Sequence, residues 1–107
     1  MKLKDEDGWN QAIEANKESS YGMGVIRFAI KWADLMEERI ADGETVFDCA
    51  EAMADKADTE GITGFMYGCA VRILVQVWQY GEDLRKWHND KYAYKGNGVV
   101  NSAVITV

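Results

Sequence analysis

The chain has 107 residues, the length of one domain, and its 48% apolar and 28% charged residues sit near the averages for soluble globular proteins. A globally disordered chain and a second domain of ordinary size are therefore excluded. The formal charge is −6, and no basic stripe is present to neutralise a phosphate backbone, so direct DNA binding is not expected.

Proline is absent, where about 5% is typical, and glycine punctuates the chain instead. The intervals 25–42, 44–60, 69–80 and 82–95 are free of glycine and are where helices are expected. Lys2 and Lys4 are followed by Asp5, Glu6 and Asp7 rather than by an apolar run, so no signal peptide is expected. Residues 8–18 read as a short amphipathic segment anchored by Trp9 and Ile13, and Ser19 to Gly22 as a connection.

From Met23 to Asp42 the residues Ile26, Ala29, Ile30, Ala33, Met36 and Ile40 recur at three- and four-residue steps, one helical face. Val25, Phe28, Trp32 and Leu35 widen that face, which predicts packing against two neighbours. Gly43 is a natural stop just past the helix end. Thr45 opens the next helix as N-cap, with Asp48 at capping-box spacing. The buried side predicted for it is Phe47, Ala50, Met53, Ala54 and Ala57.

A single long helix is predicted from Thr63 to His88, apolar nearly all round and hence central. Its stretch 62–80 has membrane-like length, but Arg72 lies at mid-span, where a charge is costly, and a membrane span is rejected. Past Asn89, alternating Lys91 to Lys95, then Gly96-Asn97-Gly98 and the β-branched run 99–107, predict a short C-terminal β-hairpin or a tail of the same domain. The expected fold is therefore mainly α. It is a three- to four-helix bundle around a long central helix over 1–90, with 91–107 as hairpin or tail.

Charge is uneven. Residues 1–60 carry 7 basic and 15 acidic side chains, and residues 61–107 carry 5 basic and 3 acidic. Asp48, Glu51, Asp55 and Asp58 form one stripe along the third helix, either a solvated face or a surface for a basic protein partner. Glu37 and Glu38 on the preceding helix loosely match the carboxylate pairs with which all-α nucleotide pyrophosphohydrolases hold Mg²⁺. Arg85, Lys86, Trp87, Tyr92 and Tyr94 interleave cations with aromatics and are candidates for stacking a small nucleotide.

Gly61, Gly64 and Gly68 lack the Lys-Ser/Thr of a phosphate-binding loop, and small-residue packing is the favoured explanation. Cys49, Cys69 and His88 lack paired metal-ligand spacing, so neither a metal nor a cofactor is expected. The two separated cysteines fit a reducing cytoplasm. No general acid–base constellation stands out, and an enzyme is not expected. The run 99–107, apolar and without Lys or Pro, predicts edge pairing between two copies and hence a homodimer.

The blocks Tyr21-Gly22, Trp32-Ala33-Asp34-Leu35-Met36, Gly61-Ile62-Thr63-Gly64-Phe65-Met66 and Gly81-Glu82-Asp83-Leu84-Arg85-Lys86-Trp87-His88-Asn89 resemble small proteins of phages and prophages of gut Firmicutes. The resemblance covers roughly residues 20–90 and assigns no residue a catalytic role. It implies an accessory protein expressed in the bacterial cytoplasm. Such proteins antagonise host defence by stoichiometric binding, for example of CRISPR effectors, or by capturing nucleotide signals. The resemblance thus implies a defence inhibitor that binds a host protein, with a nucleotide sponge as the alternative; a Mg²⁺-dependent hydrolase, behind both, rests on the Glu37 and Glu38 pair alone.

Overall fold

A computed structural model describes the backbone of residues 1–59 and 64–92 and the side chains of 1–52 and 68–91. Among the described residues there are five helices: α1 (Glu6–Asn16), α2 (Ser20–Ala41), α3 (Val46–Thr59), α4 (Gly64–Val77) and α5 (Gly81–Tyr92). The mainly helical expectation holds, but the single long central helix does not. It is two helices, α4 and α5, separated at Trp78 to Tyr80. The hairpin expected over 91–107 lies outside the described residues, apart from Lys91 and Tyr92, which close α5 instead.

Local chemistry sets most of the helix ends. The Asp5 carboxylate accepts from the Gly8 N–H at 2.9 Å and starts α1. Ser19 does the same for α2, its Oγ accepting from the Gly22 N–H at 2.9 Å. Residues 20–22, expected as a connection, are therefore the first turn of α2. At the other end, Gly43 adopts φ of +98°, the left-handed conformation that glycine tolerates. The Gly43 N–H donates to the Ile40 carbonyl and the Glu44 N–H to the Arg39 carbonyl, both at 3.0 Å. These two bonds make a Schellman motif. Thr45 caps α3 as predicted, with Oγ1 accepting from the Asp48 N–H at 3.1 Å.

The α4–α5 break is made differently. The Gly81 N–H bonds the Trp78 carbonyl at 3.0 Å, and α5 then turns back so closely that a Cβ at Gly81 would lie 2.2 Å from the Leu74 carbonyl oxygen. Residues 1–4 run antiparallel to this linker. The Lys4 N–H donates to the Val77 carbonyl at 2.8 Å and the Gln79 N–H to the Lys2 carbonyl at 3.0 Å, around a Leu3–Trp78 bridge.

The core lies along α2, which packs on α1, α3 and α4, one more neighbour than expected. Ala29, Trp32, Ala33 and Met36 of α2 meet Ala70, Val71, Leu74 and Trp78 of the α4 stretch and Leu84 and Trp87 of α5. A satellite cluster of Trp9, Ile26 and Val77 holds α1 down. On α3 the buried residues are Val46, Cys49 and Ala50. Phe47, expected inside, is 44% exposed. The capped start of α3 turns Val46 inward, and the residue after it is carried about 100° round the helix, toward solvent.

No helix among the described residues is long and apolar enough to cross a membrane.

Candidate functional site

The acidic stripe and the cationic aromatic group, read separately in the sequence, meet in space. Packing of α5 on α3 brings the Trp87 indole N–H to 3.0 Å from a Glu51 carboxylate oxygen, while the Lys91 ammonium bonds the other oxygen. These two donors, Lys91 first, hold the Glu51 carboxyl below its ordinary range. Glu51 is thus committed to the fold. Asp48 is exposed, with its backbone N–H taken by the Thr45 cap and no ion-pair partner among the described residues. Asp55 and Asp58 lie on α3, and their side chains are outside the described set.

The nucleotide candidates divide in the same way. Trp87 is only 4% exposed, and its ring packs edge-on against Trp32 at a centroid distance of 6.5 Å. The Lys91 ammonium lies 5.7 Å from the Trp87 ring centroid. The indole is therefore part of the core rather than an open stacking platform. Arg85 pairs with Glu82 one turn earlier, and Lys86 is exposed. Tyr92 closes α5 with its side chain undescribed, and Tyr94 lies outside the described residues.

Glu37, half of the suspected carboxylate pair, is the tie point of the amino-terminal segment. It accepts from the Trp78 indole N–H at 2.8 Å and from the Lys2 N–H at 2.5 Å, and the Met1 amino group lies 3.8 Å away. The same amino group sits 2.7 Å from Asp34. That hydrogen bond to Asp34, with Glu37 adding to it, raises the amino pKa above its ordinary 8.0. Beside this tie lies a cleft of about 450 Å³ lined by Lys2, Asp34, Glu37, Glu38, Ile40, Ala41 and Tyr80. Glu37 therefore stands in a structural role, whereas Glu38, its neighbour, is exposed. Among the described residues no three of His, Cys, Asp and Glu gather as a metal-holding group.

Cys49 is buried, and burial pushes its thiol pKa up, which suits a core residue rather than a nucleophile. Cys69 is half-buried, and neither thiol is in a disulfide. His88 is 5% exposed and lies beside Trp87 at 6.4 Å between ring centroids. Around Gly68 no described atom lies within 4 Å of where a Cβ would stand, so no described helix of the same chain approaches closely there.

Sequence reasoning placed Gly43, Thr45, Glu38 and Asp48 but did not read the α2–α3 corner as one surface. There Phe47 is exposed and Glu38, Asp42 and Asp48 stand in solvent. The available signal was the density of charge: residues 34–51 hold seven acidic side chains and one basic one, Arg39.

A family model for the type I Thoeris inhibitor Tad4 matches residues 1–107, the whole of the chain. The chain belongs to the Tad4 family. It is accordingly a small phage accessory protein and an inhibitor of a host-defence system. The Tad4 match names Thoeris as the defence, where the resemblance had offered CRISPR effectors as an example. Comparison with curated proteins and with solved structures gives no match.

Proposed function

We propose that this Tad4-family protein inhibits type I Thoeris without turnover, by stoichiometric binding to one of the system's proteins in the cytoplasm of the host cell. The carrying observation is how the fold spends its charges. Of the cationic aromatic group that a nucleotide would need, Trp87 is buried, Lys91 is on Glu51 and Arg85 is on Glu82, while Lys86 stays exposed. Asp48 at the start of α3 stays exposed, as do Glu38 and Asp42 before it. An anionic surface raises the on-rate for a basic protein and repels phosphate-bearing ligands.

The test mixes the purified protein with each protein of a type I Thoeris system and reads complex mass by light scattering. A one-to-one complex per protomer that weakens with salt is the expected result. A parallel thermal-shift series with nucleotides, with and without Mg²⁺, addresses the sponge and hydrolase readings. A nucleotide at 100 times its Kd adds about 2.7 kcal/mol to stability. A large nucleotide shift with no protein complex would overturn the proposal. The same light scattering on the protein alone checks whether it self-associates through residues 99–107.

A further inference from the structure

We infer that the α2–α3 corner, with Phe47 as its apolar anchor and Glu38, Asp42 and Asp48 as its rim, is the docking surface for a basic protein face that carries an apolar pocket. The inference rests on the protein-binding reading above and names the residues that would perform it.

Three observations converge on this corner. The segment 34–51 has a net charge of −6, equal to that of the entire chain, so the rest of the molecule is balanced. Within that segment the structure separates two sets of carboxylates. Asp34 and Glu37 hold the amino-terminal segment, Glu44 bonds Arg39 at 2.8 Å, and Glu51 holds α5. Glu38, Asp42 and Asp48 are exposed and have no ion-pair partner among the described residues.

Two of these three sit where folding alone would not put them. Glu38 is in the last turn of α2 and Asp42 is its C-cap, at the negative end of the helix dipole, where cations are favoured. A carboxylate at that end does nothing for the helix, so the fold does not account for either one. The third observation is Phe47, 44% exposed and directly followed by the exposed Asp48. An exposed aromatic side chain on a corner that also carries unspent carboxylates can act as an interface hot spot: the ring fills a pocket, and the charges around the corner set partner choice. Charge complementarity fixes the occupant as a protein surface rich in Arg or Lys, since a second copy of this chain would oppose like charges and a nucleotide would bring phosphates.

The experiment uses the full chain and each immobilised protein of a type I Thoeris system. Three versions are compared: Phe47→Ala, the triple variant Glu38→Gln/Asp42→Asn/Asp48→Asn, and a charge-matched control, Glu6→Gln/Asp7→Asn/Glu18→Gln, on and beside α1. The first two should each weaken binding at least tenfold and abolish inhibition of the defence, while the control binds as wild type. Glu38→Gln/Asp42→Asn alone should also leave the melting temperature unchanged or higher. If wild type binds but both corner variants bind equally well, the corner assignment falls and the protein-binding reading stands. Wild type binding no Thoeris protein overturns both, and a lowered melting temperature in the double variant shows that these carboxylates serve the fold instead.

Discussion

The turn after α2 closes on its own backbone, with Gly43 and Glu44 bonded to the carbonyls of Ile40 and Arg39. The turn after α4 closes on distant residues: the amino-terminal segment pairs with 77–79, and Glu37 of α2 receives the Trp78 indole N–H. Gly43 meets nothing within 4 Å, whereas Gly81 is pressed against the backbone of α4. The difference separates what each corner is for. A turn that is held locally leaves its side chains free for a partner, and a turn that is held by tertiary contacts spends them.

That contrast can be broken most sharply at Gly81. In Gly81→Ala the added methyl overlaps the Leu74 carbonyl and the Val75 backbone, so α5 must lift from α4. A loss of about 3 kcal/mol is expected, read from urea denaturation midpoints. Next comes Glu37→Ala, which strips the acceptor from the fully buried Trp78. It should cost about 2 kcal/mol, while Glu38→Ala, one residue on, should stay within about 0.5 kcal/mol of wild type. Equal effects at the two positions would show that Glu37 is not the tie point.

At the local turn, Gly43→Ala places a Cβ on a residue at φ of +98°. About 1–2 kcal/mol of strain is expected, with the Phe47 surface intact and partner binding retained. The smallest effect is on pH. Glu51 is held below its ordinary 4.5, so its stabilisation is present above that value and is lost as pH falls through its lowered pKa. The Met1 amino group is raised above 8.0, so its contribution is full below that value and is lost as pH rises through the raised pKa. These two groups should therefore lower the melting temperature at the acid and the alkaline end respectively. Glu51→Gln should remove the acid-side decline that this residue contributes.

The same contrast explains what could be read from the sequence. The Gly43 stop, the Thr45 cap and the buried stripe of α2 depend on spacing within a few residues, and each is visible in the linear pattern. The break at Trp78 is not. Residues 63–88 keep a helical apolar rhythm straight through it, and Gly81 was its one local sign; the cause is pairing with residues 1–4, more than 70 positions away. Phe47 was misplaced for a related reason, because apolar character alone does not say which way a capped helix faces. Of the site, the acidic character of α3 was legible. Which carboxylates are spent on Trp78, Trp87, Lys91 and the amino terminus depends on contacts between distant segments, and so it emerged only with the fold.

The pairing of Lys4 with Val77 also has a consequence for timing. At synthesis rates of about 5–20 residues per second, the first residues wait about 4–15 s for the strand partner they need. During that interval Asp34 and Glu37 can hold the amino group, but Leu3 has no linker to pair with. A nascent chain therefore carries the acidic α2–α3 corner on an incomplete scaffold. The amino-terminal clasp can close only once residues 77–79 are present, and a truncation that removes them would strand the opening residues as well as the end.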